Sequence, residues 1–308
     1  MRVVAALGGN ALLRRGEPFT AGAQRANARA AAASVAALAE AHEVVVTHGN
    51  GPQVGLLAQG AGAALAGLDD LVAETEGMIG YVLEQELRNA LPARAVATLL
   101  TLVAVDPEDP AFQNPTKPIG PVLDPGLAER CAQERGWVLA PDGDGWRRVV
   151  PSPEPGRLVD AEAMRLLADH GVLVICGGGG GIPVCVGADG RLEGVEAVID
   201  KDMTAALVAD AVDADALLML TDVDAVYADW GTPRAVRVER LGPHDAPWLR
   251  LPEGSMGPKV RAGLRFVQGG AGRIAAIGAL ERALDTLEGR AGTRIEPGEA
   301  GAAPRAPA

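Results

Sequence analysis

The sequence predicts an α/β protein in which helices cover both faces of a mainly parallel sheet. Of its 308 residues, 48% are hydrophobic but only 3% are aromatic, so the core must be built from Ala, Val and Leu, as in layered strands and helices. Apolar runs of strand length alternate with stretches of helix length along most of the chain. Because a parallel crossover needs a connection the size of a helix, this alternation favours parallel strands.

The elements can be predicted in order, with one interruption. Before residue 106 they are a strand at 2–7, a helix at 20–40, a strand at 43–47, a helix from about Gln53, a helix at 70–91 and a strand at 95–103. After residue 156 they are a helix at 160–169, a strand at 172–176, a helix at 200–211, a strand at 215–220, a helix at 256–268, a strand at 273–277 and a helix at 279–288. We expect the Gly-, Ala- and Pro-rich tail at 297–308 to be disordered.

Residues 106–156 break this rhythm. They contain ten prolines and two short stretches with a hairpin-like pattern. The segment therefore predicts an inserted lid or small subdomain outside the alternating framework.

The charge balance argues against a nucleic-acid partner. The chain has 28 basic and 40 acidic residues, a formal net charge of −12, whereas binding to a phosphate backbone needs clustered cationic surface. No apolar run is long enough for a secretory signal or a membrane span, so we expect a cytoplasmic protein with no membrane partner. The odd number of cysteines and the scattered histidines predict neither disulfides nor a metal site made by protein side chains.

Lysine is rare and unevenly placed. Only three of the 28 basic residues are lysines, Lys117, Lys201 and Lys259, and each lies in a compact segment rich in Gly, Pro or Asp. A lysine ammonium approaches phosphate as a point charge, which a forked guanidinium does not. These lysines therefore predict contact with a phosphoryl group, with Lys201 held between Asp200 and Asp202. The alternative is that the two aspartates only cap a helix.

Glycine-rich turns follow three predicted strands, at 8–9, 49–51 and 177–181. Such turns at helix N-termini offer backbone N–H groups and a positive dipole end to phosphate oxygens. One such turn could be a simple tight connection, but three together indicate function. Because ligands of these sheets lie beyond the carboxyl ends of the strands, we expect the turns to converge at one edge. Asp222 and Asp224 could cap a loop or face a nucleotide, and the sequence leaves both open.

Two common nucleotide motifs do not occur. The stretch Gly49–Val54 comes close to G-x-G-x-x-G but ends in Val, and no lysine follows a glycine, which excludes a Walker motif. The sequence therefore does not predict a nicotinamide cofactor or a P-loop.

Several segments together resemble the motif series of carbamate kinase, in the same order and with matching spacing over residues 1–296. They are Gly8–Leu12, Thr47–Gly55, Asn114–Gly120, Gly178–Pro183, Ile199–Asp202, Thr221–Val226 and Gly254–Val260. The resemblance implies the three-layer αβα fold of the amino-acid kinase superfamily and a homodimer. It also implies a carbamate-binding lobe at 1–212 that carries the inserted lid, and a nucleotide-binding lobe at 213–296.

The resemblance also implies the roles of individual residues. Gly8, Gly9, Asn10, Gly49, Asn50 and Gly51 would bind carbamate and the transferred phosphoryl group. Lys117, Lys201 and Lys259 would neutralise that group, and Asp202 would orient the lysines. The nucleotide would contact Gly178, Gly179, Thr221, Asp222, Val223, Tyr227, Met256 and Gly257. The implied reaction is ATP + carbamate ⇌ ADP + carbamoyl phosphate, with Mg²⁺ bound through the nucleotide phosphates and flux toward ATP in arginine or purine catabolism.

One position separates this chain from related kinases. N-acetylglutamate kinase has a lysine two residues before the first glycine pair, where this chain has Ala6. We expect Lys117, in the inserted segment, to supply the missing charge. At Ala225 relatives often have Gly, a departure of small consequence. Two alternatives remain at this point: another acyl-phosphate-forming kinase similar to N-acetylglutamate kinase, and a non-catalytic effector-binding module on the same fold.

Overall fold

The computed structural model describes residues 1–13, 17–18, 20–60, 66–245, 249, 251 and 254–297. Its helices are α1 Gly9–Leu12, α2 Ala21–Ala39, α3 Gly51–Leu57, α4 Leu68–Ala90, α5 Pro125–Arg135, α6 Ala161–Asp169, α7 Lys201–Ala211, α8 Met256–Gln268 and α9 Ala283–Leu287. Its strands are β1 Arg2–Leu7, β2 Glu43–His48, β3 Val96–Thr98, β4 Leu102–Val105, β5 Lys117–Leu123, β6 Leu139–Asp142, β7 Gly145–Val150, β8 Pro155–Leu158, β9 Leu173–Ile175, β10 Ile182–Val186, β11 Leu192–Gly194, β12 Ala216–Thr221, β13 Val226–Ala228, β14 Val236–Val238, β15 Arg240–Leu241, β16 Ile274–Ala279 and β17 Thr293–Ile295.

Eight strands form the main sheet, in the order β15-β17-β16-β12-β1-β2-β9-β3. Every neighbouring pair from β3 to β16 is parallel, and among the described strands of this sheet only β16 and β17 pair antiparallel. The prediction of a mainly parallel sheet is confirmed. β1 and β12 are adjacent, so the sheet is continuous across the predicted boundary at residue 212, and the division into two lobes stays a prediction.

Alternate residues of the central strand face different helices, which makes three layers. Val3, Ala5 and Leu7 of β1 belong to a buried cluster that includes residues of α2, α4 and α9. Val4 and Ala6 belong to the opposite cluster, which includes residues of α6, α7 and α8. Because both faces of these strands are buried, β1 and β12 have no polar alternation. The αβα sandwich implied by the resemblance is confirmed.

The inserted segment forms a small antiparallel sheet of its own. β5, β7 and β6 pair in that order, with α5 packed beside them. The segment 117–150 is called the lid sheet below. α5 was not predicted, although its signals are present: Asp124 accepts a hydrogen bond from the Leu127 amide at 3.0 Å, and Gly136 ends the helix in the left-handed conformation. β8 leaves the insertion to pair with β4 in a separate sheet with β10 and β11.

Two predicted elements are wrong in detail. The single strand at 95–103 is two strands, because the chain leaves the main sheet after Thr98 and β4 joins the second sheet. The helix at 279–288 begins as a short 3₁₀ turn, Leu280–Arg282, before α9. The predicted disordered tail lies outside the described residues, apart from Pro297. Within the described ranges, no helix combines the length and apolar character needed to cross a membrane.

Candidate active site

The glycine-rich turns converge where the main sheet's strands end, as expected. Together with the lid sheet and α8, they enclose a cavity of about 440 Å³. The candidate residues that line it are Gly8, Gly9, Gly49, Asn50, Gly51, Lys117, Gly179, Lys201, Asp202, Thr221, Asp222, Val223, Tyr227, Met256 and Lys259. The cavity therefore collects residues from turns that are far apart in the sequence.

Gly49 must be glycine because two backbones meet there. A Cβ atom at this position would lie 2.8 Å from the Gly9 nitrogen and 2.9 Å from its Cα. The turn after β1 is held by a hydrogen bond to the neighbouring strand, because the Gly8 amide donates to the Leu220 carbonyl at 2.8 Å. The two turns thus form one shared floor beside the N-termini of α1 and α3, where backbone N–H groups suit anionic oxygens.

A buried carboxylate holds two of the three lysines. Asp202, in the first turn of α7, is only 3% exposed. Its oxygens accept from the Lys201 Nζ, 2.9 Å from each, and from the Lys259 Nζ at 3.0 Å. Lys201 lies at the start of α7 and Lys259 in α8, so Asp202 connects the N-terminal turns of two neighbouring helices.

Asp200 caps α7 and also holds a lysine, but that lysine is Lys117; Lys201, which we expected between Asp200 and Asp202, donates to Asp202. Its Oδ1 caps α7 by accepting from the amides of Asp202 at 2.9 Å and Met203 at 3.4 Å. Its Oδ2 accepts from the Lys117 Nζ at 2.5 Å. The aspartate that caps α7 therefore also binds Lys117 of the lid sheet. This ion pair joins residues 83 positions apart and connects the lid sheet to α7.

The pKa values of this cluster follow from burial and close charges. Burial would raise the pKa of both aspartates, but the ammonium groups around them hold each pKa below its usual range. Burial works to lower the pKa of Lys201, yet the carboxylates of Asp202 and Asp200 raise it. At Lys259 burial prevails over Asp202, and the pKa is lowered. An anion entering the cavity would favour the charged form of Lys259.

The cavity as a whole is slightly cationic. Its lining includes four basic side chains and three acidic ones, a balance of +1 in a chain whose net charge is −12. The basic residues are Lys117, Arg147, Lys201 and Lys259, and the acidic residues are Asp200, Asp202 and Asp222. The local field thus attracts anions although the protein as a whole repels them.

An aromatic pair lies at the other side of the cavity lining. The rings of Tyr227 and Trp230 are 5.3 Å apart at 54°, and the Tyr227 hydroxyl donates to Asp224 at 3.1 Å. Thr221, at the end of β12, donates to Asp222 at 3.0 Å. Such a surface suits a planar ring, which is consistent with a nucleotide at Thr221–Tyr227.

Three candidate residues are not among the described residues that line the cavity. The Gly178 amide is used by the buried Glu76 carboxylate at 2.7 Å, and Gly257 lies buried inside α8. Asn10 belongs to α1, but its side chain lies outside the described part of the structure. Sequence reasoning also missed Arg147 and Trp230, for which no local motif exists. Asp200, which the sequence offered as a partner of Lys201 or a helix cap, also lines the cavity.

Comparison with known proteins agrees with this geometry. The sequence profile of the Amino acid kinase family matches residues 1–276. Carbamate kinase of Rhizobium meliloti (strain 1021) is 53% identical over 287 residues, which cover 91% of this chain and 88% of that protein. Carbamate kinase of Haemophilus influenzae is 51% identical over 96% of both chains. The chain belongs to the carbamate kinases of the amino acid kinase family.

Solved structures of that family share the fold over 96% of the chain. Carbamate kinase from Giardia lamblia bound to citric acid has a TM-score of 0.88 and 38% identity, covering 96% of this chain and 98% of the other. The same Giardia lamblia enzyme bound to AMP-PNP has a TM-score of 0.85 at 38% identity and the same coverage. Both the resemblance of the motifs and the predicted fold class are therefore confirmed.

Proposed function

We propose that this chain transfers a phosphoryl group between ATP and carbamate, forming ADP and carbamoyl phosphate reversibly. The observation that carries the proposal is the convergence of all three lysines on one cavity, each bound to Asp200 or Asp202. Membership of the carbamate kinases supports the identity of the acid. An N-acetylglutamate kinase-like activity has no comparable support, and an effector-binding module would not need the three lysines.

The chemistry requires charge neutralisation and positioning rather than a base. A carbamate oxygen attacks the γ-phosphorus, a new O–P bond forms, and the bond to the bridging oxygen breaks, so that ADP leaves with its electron pair. Carbamate is already anionic, and no proton needs to be removed. The barrier lies in bringing two anions together and in stabilising the charge on the equatorial oxygens. We assign that task to the ammonium groups and to the backbone amides at Gly9 and Gly49–Gly51, all of which line the cavity.

We propose that Mg²⁺ enters the site with the nucleotide phosphates. The oxygens of Asp200 and Asp202 already accept from lysines and, at Asp200 Oδ1, from backbone amides, so phosphate oxygens would supply most of the Mg²⁺ ligands. When bound, the ion would neutralise phosphate charge. The lysines would remain responsible for the transferred group.

A coupled assay tests the activity directly. Purified protein with ADP, Mg²⁺ and carbamoyl phosphate should form ATP, read through hexokinase and glucose-6-phosphate dehydrogenase. N-acetylglutamate with ATP, under the same conditions, should give no ADP. Turnover of N-acetylglutamate without turnover of carbamoyl phosphate would replace the proposal with the first alternative, and no turnover of either would favour the effector-binding module.

Two further points of the proposal concern context. Carbamoyl phosphate is a high-energy acyl phosphate, so we propose flux toward ATP, in arginine or purine catabolism. We also propose a homodimer. Met78 and Tyr81 on α4 and Leu100, which follows the edge strand β3, are exposed, and we propose that they offer an apolar surface to a second copy. Light scattering coupled to gel filtration would measure the mass in solution.

A further inference from the structure

The lid sheet and α3 touch through a pair of glycines. Gly55 lies in α3, and Gly120 lies in β5 with a φ of +72°. A Cβ atom on Gly55 would lie 2.0 Å from both the nitrogen and the Cα of Gly120, and 2.8 Å from the carbonyl carbon of Ile119. The two backbones are therefore in direct contact, and no other residue type fits at position 55 without moving one of them.

Other contacts hold the lid sheet against the same helix. Ile119 and Val150 share a buried cluster with Val54 and Ala58 of the α3 region. The Arg135 guanidinium, at the end of α5, donates to the carbonyl of Ala58 at 3.2 Å and to that of Gln59 at 3.1 Å. The glycine pair thus lies within a packed contact between α3 and the lid sheet. The two backbones can approach this closely because neither glycine has a side chain.

Lys117 is three residues from this contact on the same strand. β5 begins at Lys117, which reaches Asp200 at 2.5 Å, and Lys117 to Gly120 all line the cavity. The first residues of α3, Gly51 and Pro52, line it as well. The distance between α3 and β5 therefore decides where the lid's ammonium group lies relative to the floor of the site.

We propose that Gly55 is a positioning residue, which sets the place of the Lys117 ammonium by letting β5 rest directly on α3. This inference rests on the proposed function, because it assigns Gly55 a part in the same phosphoryl transfer. Gly55 does not itself touch the substrate. Its effect on the rate passes through Lys117.

Gly55→Ala is the direct test. To reach even 3.0 Å from Gly120, the new Cβ must push the two backbones apart by about 1 Å. Misplacement of a catalytic group by about 1 Å can reduce the rate by roughly 10²-fold. We therefore expect kcat to fall by roughly 10²-fold while ADP affinity, measured by calorimetry, stays within about twofold, since β12 and α8 supply the predicted nucleotide contacts. Gly22→Ala is the matched control, a helical glycine whose Cβ would meet only Thr20 Oγ1 at 4.0 Å, and it should keep the wild-type rate.

A double variant separates positioning from general damage. If Gly55 acts through Lys117, Gly55→Ala combined with Lys117→Ala should be no slower than Lys117→Ala alone. If Gly55→Ala does not fold, Gly120→Ala serves instead, since its Cβ would lie 3.1 Å from the Gly55 Cα, a smaller conflict with the added strain of a positive φ. That variant should lose roughly 10-fold in kcat and retain ADP affinity.

The outcomes distinguish this inference from the proposed function. Absence of carbamoyl phosphate turnover in the wild type would overturn the function. Hydrogen exchange over 117–123 would then still test the contact, and it should be faster in Gly55→Ala than in the wild type. Wild-type kcat in Gly55→Ala, unchanged exchange, or fully multiplicative losses in the double variant would overturn the positioning role.

Discussion

Replacing Glu76 by Gln should change how the free energy of unfolding depends on pH. Glu76 lies on α4 behind the glycine turn at 177–181, and its carboxylate is 1% exposed. Its two oxygens accept from the amides of Gly178 at 2.7 Å and Thr101 at 3.2 Å. Burial raises the pKa of Glu76 from 4.5 to about 8, and the two backbone donors only partly oppose this shift. The folded protein therefore holds a proton that the unfolded chain has lost.

The direction of the effect follows from this proton. Between pH 4.5 and 8 the folded state binds one more proton at Glu76 than the unfolded state, so this contribution to stability is full below pH 4.5 and is lost as the pH rises through 8. His48 has the opposite sign. Burial lowers its pKa from 6.5 to about 4, so its destabilising effect at low pH disappears as the pH rises to 6.5. Between pH 6.5 and 8 the effect of Glu76 is the larger, and that of His48 is the same in the wild type and in Glu76→Gln.

The magnitude can be estimated in that window. One pKa unit corresponds to about 1.36 kcal/mol, and a group with a folded pKa of about 8 loses roughly 1.5 kcal/mol between pH 6.5 and 8. Gln cannot titrate, so this loss should vanish in Glu76→Gln. Gln also offers one acceptor oxygen in place of two, so one backbone donor loses its partner and the variant should be less stable by about 1–3 kcal/mol at pH 6.5.

Urea unfolding at four pH values between 6.5 and 8 measures this slope. Glu74→Gln is the matched control, because Glu74 is an exposed residue of the same helix, and it should keep the wild-type slope. A Glu76→Gln protein that loses stability with pH as steeply as the wild type would refute the reasoning. It would mean that the two backbone amides hold Glu76 ionised despite its burial.

Four further outcomes are expected. Lys117→Ala should lower kcat by roughly 10²–10³-fold, about 2.7–4 kcal/mol, with ADP affinity unchanged. Lys117→Arg should not restore the rate, because a guanidinium occupies different space from an ammonium. Steady-state kinetics on both variants test this. Asp202→Asn should cost about 3–5 kcal/mol in urea unfolding, since it leaves the buried ammonium of Lys259 and the partly buried one of Lys201 short of their partner. Asp210→Asn, at a partly exposed ion pair with Arg273, should cost no more than about 1 kcal/mol. ADP with Mg²⁺ at 100 times its Kd should stabilise the fold by about 2.7 kcal/mol and NAD should not, as calorimetric melting would show. Ala6→Lys should not create N-acetylglutamate kinase activity, and detection of N-acetylglutamyl phosphate as its hydroxamate would contradict the interpretation of Ala6.

Elements whose signals are local could be predicted from the sequence. α8 lies at the predicted residues 256–268, and β1, β2 and β12 lie within a residue of their predicted limits. Buried parallel strands appear in the sequence as apolar runs, and the glycine turns that follow them can be recognised from their own residues. The convergence of those turns also followed, because the carboxyl ends of parallel strands share one edge of a sheet.

Features that depend on distant partners could not be predicted. The segment 95–103 divides into two strands because they pair with different neighbours: β3 pairs with β9, whereas β4 pairs with β8 and β10. Arg147 reaches the cavity only because β7 pairs with β5. Gly55 and Gly120 both lie in motifs that the sequence shows, but only the folded structure shows that these two motifs are in contact.

The structure also explains why positions 201 and 259 are lysines in a chain whose other basic residues, apart from Lys117, are arginines. The ammonium groups of Lys201 and Lys259 share one buried carboxylate, and the oxygen of Asp202 at 3.0 Å from Lys259 is also 2.9 Å from Lys201. Two planar guanidinium groups would need more room around that oxygen, whereas two compact ammonium groups fit and can turn their remaining N–H bonds toward an anion. At position 135, by contrast, one planar guanidinium meets two neighbouring carbonyl oxygens beyond the end of α3. The choice of lysine at 201 and 259 therefore reflects the geometry around Asp202, and in the proposed reaction it would give the transferred phosphoryl group separate point charges.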